Sequence, residues 1–254
     1  MLTILSPSKT IKYSSPLASM AGSQPRFISH AASLVQQLKL MAPDEISMLM
    51  RISPKLARLT FERYQQWHSP FTNTNATQSL FTFKGDVFEG LEANSLSTEE
   101  VTFAQATVCI LSGLYGILRP LDLIQPYRLE MGTKLAVDNA ANLYEFWGDK
   151  LAKSLEEELA NHDIPVLVNL ASQEYFKSVA SIEKRLRVVT PNFYETSSGT
   201  PRIVAIHAKR ARGLMVRFIV KRHIDDPEQL KFFEEEGYVF SPNVSKGDAW
   251  AFVR

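Results

Sequence analysis

The sequence predicts a mixed α/β fold, a single domain over residues 1–254 in which a mixed β-sheet is packed by helices. Three observations predict it. Short apolar, β-rich runs at residues 2–5 (LTIL) and 164–170 (IPVLVNL) read as buried strands. Helical and strand-like segments alternate irregularly between them, which fits a covered sheet better than a bundle or a sandwich. The residues with chemical potential are spread from position 6 to position 217, with no low-complexity linker and no internal repeat, so nothing divides the chain.

Each element follows from local chemistry. The strand at residues 2–5 is stopped by Ser6-Pro7. Residues 27–40 carry apolar side chains at Phe27, Ile28, Ala31, Leu34, Val35 and Leu38, a helical stripe. Pro43-Asp44-Glu45 opens a second helix with acids near its N-terminus. After a break at Ser53-Pro54, helical spacing resumes through Leu56, Leu59 and Tyr64. Residues 80–83 read as a strand ending at Lys84-Gly85-Asp86, and residues 103–111 fit either a helix or a strand. Leu143, Trp147, Leu151, Leu155 and Leu159 stand four apart and predict one amphipathic helix. Residues 187–189 and 202–206 read as further strands.

Composition excludes several classes of function. With 45% hydrophobic residues in 254, the chain can bury a sizeable core. Lys+Arg is 28 against 27 Asp+Glu, a net +1, which excludes a uniformly basic nucleic-acid protein and a uniformly acidic tail. Cys109 is the only cysteine, so an intramolecular disulfide framework and a Cys-rich zinc or iron–sulfur site are excluded. No apolar run approaches the roughly 18 residues of a membrane span. The N-terminal residues lack the leading basic charge and apolar length of a secretory signal, so the expectation is a cytoplasmic protein with no membrane partner.

The charge is nonetheless segregated. Between Glu195 and Asp225 there is no acid, while Arg202, Lys209, Arg210, Arg212, Arg217, Lys221 and Arg222 carry +7. If residues 209–221 are helical, Ala211, Leu214, Met215 and Phe218 form a core-facing stripe, and Arg210, Arg217 and Lys221 fall on one line beside it. Gly213 lies toward that edge, where a missing side chain lets a backbone come close. A solvated basic face paired with Glu156-Glu157-Glu158 and Glu234-Glu235-Glu236 is the plain alternative. The arginine bias favours polyanion binding, because the planar guanidinium matches phosphate bidentately.

Other clusters point to the same kind of site. Residues 46–64 fit a helix, a four-residue hairpin at Ser53-Pro54-Lys55-Leu56 and a second helix. That arrangement suits a helix-hairpin-helix gripping phosphate, with Lys55 and Arg58 adding charge, or an ordinary αα corner; glycines usual in such a hairpin are absent. Gly113 and Gly116 bracket a tight turn, and Arg119 with Asp122 suggests an ion pair at a site rim. Arg128 and Glu130 alternate with apolar residues, so on a strand both point one way. Three polar clusters follow strands: Ser6, Ser8, Lys9 and Thr10; Lys84-Gly85-Asp86; and Asn169, Ser172 and Glu174. Strand ends of this kind converge on ligand sites in α/β proteins. Five histidines show no metal-ligand spacing, and phosphate-loop, dinucleotide and nucleophile-elbow motifs are missing, so no metal or cofactor is expected.

Taken in order, Ser6-Pro7-Ser8-Lys9-Thr10, Lys84-Gly85-Asp86-Val87, Leu111-Ser112-Gly113-Leu114-Tyr115-Gly116, Arg119-Pro120-Leu121-Asp122, Pro126-Tyr127-Arg128-Leu129-Glu130-Met131-Gly132, Asn169-Leu170-Ala171-Ser172, Glu174-Tyr175-Phe176 and Lys209-Arg210-Ala211-Arg212-Gly213 resemble the YaaA family of bacterial peroxide-stress proteins across essentially the whole chain. The family's first motif usually has alanine where Ser8 stands, which leaves Lys9 in place. The resemblance implies a single-domain α/β protein of cantaloupe-type fold, a positively charged cleft, a helix-hairpin-helix, binding to duplex and branched DNA, and a role in surviving peroxide with less iron-driven damage.

The function expected is sequence-tolerant binding of double-stranded and branched DNA, since no recognition helix rich in Asn, Gln and Arg is present. Lys9, Lys84, Arg128, Lys209, Arg210, Arg212 and Arg217 would line the cleft, with Arg119 a further nucleic-acid contact and Ser53, Lys55 and Arg58 holding the duplex backbone. Two alternatives share the cleft. In a DNA-repair enzyme, lyase- or nuclease-like, Lys9 or Lys84 serves as nucleophile and Glu130, Glu174 or Asp86 moves protons. An iron-handling stress protein would rely on carboxylates. Oligomeric state is left open.

Overall fold

The computed structural model describes residues 1–12, 20–196 and 199–254. Strands are β1 (Leu2–Leu5), β2 (Thr10–Ile11), β3 (Thr77–Gln78), β4 (Phe83–Lys84), β5 (Val108–Ser112), β6 (Gly116–Leu118), β7 (Leu123–Ile124), β8 (Val166–Leu170), β9 (Arg187–Tyr194), β10 (Val239–Phe240) and β11 (Ala249–Val253). Helices are α1 (Ile28–Lys39), α2 (Pro43–Met50), α3 (Pro54–Gln66), α4 (Ser79–Thr82), α5 (Asp86–Leu91), α6 (Thr98–Thr107), α7 (Leu143–Trp147), α8 (Lys150–Leu159), α9 (Gln173–Phe176) and α10 (Ala205–Lys221).

The central sheet has seven strands in the order β10-β11-β9-β8-β1-β5-β6. Its middle five run parallel, and β6 and β10 close the edges antiparallel. The mixed α/β sheet expected from the sequence is therefore present. β1, an interior strand, is buried on both faces, with Leu2, Ile4 and Leu5 fully inaccessible, which is why it reads as a mostly apolar run rather than an alternating one. All five residues of β8 are buried for the same reason.

Several local expectations are corrected by tertiary context. Residues 80–83 are mostly helical: α4 occupies Ser79–Thr82, and the strand is only Phe83–Lys84. The ambiguous stretch at 103–111 is both things in turn, α6 to Thr107 and then β5 from Val108. The fourfold spacing from Leu143 to Leu159 belongs to two helices, because Gly148 turns with φ +50° between α7 and α8. Residues 202–206 form no strand; Arg202 makes a single bridge to Glu195, and α10 begins at Ala205. Residues 125–132 lie outside any strand.

α10 is the longest helix and is buried around most of its circumference. It packs on β9, α6 and, most extensively, α5. Glycines on both helices permit that last crossing. A Cβ at Gly213 would run into the carbonyl oxygen of Val87, and one at Gly90 into that of Arg210. Backbone thus lies on backbone, and the start of α5, with Lys84 and Asp86, is drawn beside Lys209 and Arg212.

Candidate nucleic-acid interface

The three polar clusters predicted to converge do so except for Thr10, which pairs in the β2–β4 ladder, and Asn169, whose side-chain oxygen accepts the Ala171 N–H instead of lining the cleft. A cleft of about 420 Å³ opens outside the carboxyl ends of β1 and β8. Ser6, Pro7, Ser8 and Lys9 form one wall, following directly from the proline-stopped strand. Lys84, Gly85, Asp86, Val87 and Phe88, the corner from β4 into α5, form the second. Leu170, Ser172, Glu174 and Tyr175 line the third, and Lys209 and Arg212 of α10 close the fourth. Cations outnumber carboxylates on these walls four to two.

The floor is tied together by hydroxyl chemistry. The backbone N–H of Ser172 donates to Ser6 Oγ at 2.8 Å, and Ser6 Oγ lies 3.2 Å from Ser172 Oγ. Thr10 pairs with Lys84 in the small β2–β4 ladder, bringing the first and second walls together. Glu174 Oε1 accepts the Gly132 N–H at 2.8 Å, which fixes its carboxylate at the rim. Burial pushes the Tyr175 hydroxyl well above its usual range, so this wall presents a neutral phenol.

Arg128 and Glu130 border the cleft through a small neighbouring recess shared with Pro7, Ser8, Lys9 and Tyr175. Glu130 joins two cations: Lys9 Nζ at 2.7 Å and Arg128 Nη2 at 3.0 Å. The expected Arg128–Glu130 pair therefore forms although no strand holds it. Arg128 Nε is buried with no hydrogen-bond partner among the described residues. The catalytic candidates Lys9, Lys84, Glu130 and Glu174 all lie in or beside this cleft, with Lys9 committed to Glu130.

Arg212 stands apart from every other arginine of α10. Among the described residues it makes no ion pair and no hydrogen bond, yet burial without a compensating anion pushes its guanidinium pKa down. Lys84, Asp86 and Lys209 are likewise without an ion pair or side-chain hydrogen bond among the described residues. Of these charges Arg212 carries the desolvation cost, which an anion in the cleft would offset, while Lys209 is exposed and Lys84 half-buried.

The row expected on the other side of α10 has a different fate. Arg210 Nε binds Glu236 at 2.7 Å, and Lys221 Nζ binds Glu100 at 3.2 Å. Arg217 donates to Leu91 O at 3.2 Å and Ser95 Oγ at 2.6 Å, and its other nitrogen lies 3.6 Å from Glu92. Arg217 and Lys221 thus tie α10 to the end of α5 and the start of α6, Arg210 ties it to the segment before β10, and Gly213 admits the backbone of α5, not that of a ligand.

One further expectation changes, and the α2–α3 corner stands apart from the cleft. The Arg119 guanidinium pairs with Glu158 at 2.7 Å, not with Asp122, whose carboxylate instead accepts the Arg119 backbone N–H at 2.8 Å and the Ser23 hydroxyl at 2.7 Å. Ser53, Lys55 and Arg58 lie at the exposed corner between α2 and α3 and do not line the cleft. Arg51 takes the left-handed turn (φ 51°) that a glycine would ordinarily supply, and Ser53 Oγ caps α3 by accepting the Leu56 N–H. This corner is a tight αα connection. Val87, Phe88 and Tyr175, apolar walls of the cleft, were invisible to charge-based reading; their positions just after Lys84-Gly85-Asp86 and Ser172 were the available signal.

Among the described residues, no cluster of His, Cys, Asp and Glu could hold a metal ion, and no helix is long and apolar enough to cross a membrane.

Comparison with known proteins matches residues 1–244 to a family described as peroxide stress protein YaaA. A UPF0246 protein of Hahella chejuensis is 48% identical over 254 residues, covering all of this chain and 99% of its own. UPF0246 proteins of Neisseria meningitidis serogroup A and Aliivibrio fischeri are 48% and 47% identical, each over the whole of this chain and 98% of their own.

Proposed function

The chain belongs to the YaaA family of peroxide stress proteins, and from that premise we propose that it binds duplex and branched DNA without strong sequence preference and thereby limits peroxide- and iron-driven damage. The observation that carries this reading is the set of cations Arg212, Lys84 and Lys209, which have no ion pair among the described residues and line one cleft. A guanidinium and two ammonium groups held without protein anions match phosphodiester oxygens, and each contact displaces a condensed counterion. Displacing metal cations from the backbone is a direct route to less iron-driven chemistry there. The exposed Lys55 and Arg58, at the α2–α3 corner, add a second phosphate contact outside the cleft.

The test is fluorescence anisotropy with duplex, bubble and junction DNA across a salt series. Replacing both Lys84 and Lys209 by alanine weakens binding on all three substrates alike and lowers the slope of log affinity against log salt by about one per lost phosphate contact. Affinity and slope unchanged in that double variant would overturn the proposal.

A further inference from the structure

The order of the parallel strands singles out one crevice. β5 and β8 flank β1 on opposite sides, so the connections leaving the ends of β1 and β8 part in opposite directions. Counted among the parallel strands alone, the order is 2-1-3-4-5, and sheets of that order bind ligands outside the gap between the first and third strands. Here that gap is the one bridged by Ser6 and Ser172, at the floor of the cleft.

The contents of the crevice describe a ligand with two unlike ends. One end is anionic: Arg212 is half-buried with no anion beside it among the described residues, and Lys84 and Lys209 line the same site. The other end is a neutral, hydrogen-bonding ring system. Ser6, Ser172 and the carboxylate of Glu174 offer partners to hydroxyl and amino groups, and Tyr175 supplies a flat apolar wall. Glu174 and Asp86 oppose a second phosphate in the same space. A volume of about 420 Å³ falls within the range of small-ligand pockets, far larger than a lone phosphate needs and far too small for a duplex.

We infer that this crevice is a mononucleotide subsite, taking one nucleoside monophosphate unit with its phosphate at Arg212, Lys84 and Lys209 and its sugar and base toward Ser172, Glu174 and Tyr175. The unit comes either as a free nucleotide or as a single nucleotide extruded from a strand; extrusion costs least where the base is already unpaired. The inference deepens the DNA-binding reading and rests on it only for the second of these sources.

Isothermal titration calorimetry on the full chain with dAMP, dCMP, deoxyadenosine and inorganic phosphate tests the subsite. The 5′-monophosphates bind at least about tenfold tighter than inorganic phosphate or the nucleoside. Lys84→Ala and Lys209→Ala each weaken the monophosphate by about threefold or more, whereas Arg210→Ala leaves it unchanged. Monophosphate binding no tighter than that of inorganic phosphate, or unmoved by both lysine variants, overturns the inference; both lysines are accessible enough to be replaced without disturbing the core. A second arm compares a fully paired duplex with one carrying a single-nucleotide bulge, with dAMP as competitor. Tighter binding to the bulge, relieved by dAMP, supports an extruded nucleotide as the occupant. Duplex binding in a protein that ignores monophosphates removes the subsite and leaves the DNA reading standing. Monophosphate binding in a protein that ignores every DNA form does the reverse.

Discussion

Ser6 Oγ accepts the backbone N–H of Ser172 at 2.8 Å, joining the chain where it leaves β1 to the chain where it leaves β8. That single contact spans 166 positions of sequence and sets the floor of the cleft. Ser6→Ala leaves a half-buried N–H without its partner, which costs about 1 kcal/mol, toward 3 if no solvent reaches it. Urea denaturation should show a lower midpoint at unchanged slope. Identical midpoints would remove this tie from the account.

Gly213→Ala is the most damaging small substitution we expect. The new methyl meets the Val87 carbonyl, a backbone atom that cannot rotate away, so α5 must shift off α10. Overpacking of this kind costs about 1–3 kcal/mol or more, and in a chain of this size each kcal/mol lowers Tm by about 2–4 °C. The same shift separates Lys84 from Arg212, so thermal stability and DNA affinity fall together. A variant with wild-type Tm would refute the close crossing.

Arg217→Ala separates structural from binding cations. Arg217 satisfies the Leu91 carbonyl at the end of α5 and the Ser95 hydroxyl. Its loss should lower stability by about 1 kcal/mol while changing DNA affinity at fixed salt by less than about twofold. A tenfold loss of affinity with unchanged stability would return Arg217 to the interface.

Asp122 predicts a pH dependence of stability. Burial pushes its carboxyl up from 3.8 to about 6, against the lowering influence of the Arg119 backbone N–H and the Ser23 hydroxyl. The folded state therefore holds this proton more tightly than the unfolded state. The stabilisation is fully present below about pH 4 and is lost as pH rises through about 6, a change of up to about 3 kcal/mol for this group. Asp122→Asn should flatten this part of the stability curve between pH 4 and 6. A curve of unchanged shape in the variant would assign the effect elsewhere.

Much of the site was legible before folding. Proline after the apolar run of β1 and the polar residues after β8 marked where those parallel strands end, and parallel strands deliver their ends to one edge of a sheet, so Lys9, Ser172 and Glu174 could be expected together, whereas Lys84 is brought in by the β2–β4 ladder. The charges of residues 202–222 were equally plain. Their division was not. Arg210 and Arg212 are two positions apart and so face about 200° apart on a helix, one toward Glu236 and the other toward the cleft.

By itself the sequence determined the strands β1 and β8, the helical stripe of α1, the basic character of α10 and the polar residues after the strands, because these depend on residues within a few positions of one another. Tertiary structure alone decided which cations are spent on internal partners. Glu92, Glu100, Glu236 and Glu158 reach Arg217, Lys221, Arg210 and Arg119 from distant segments. Pairing between charges is set by distance in space, and the docking of α5 on α10 through two glycines left Arg212 half-buried and, among the described residues, without an anion.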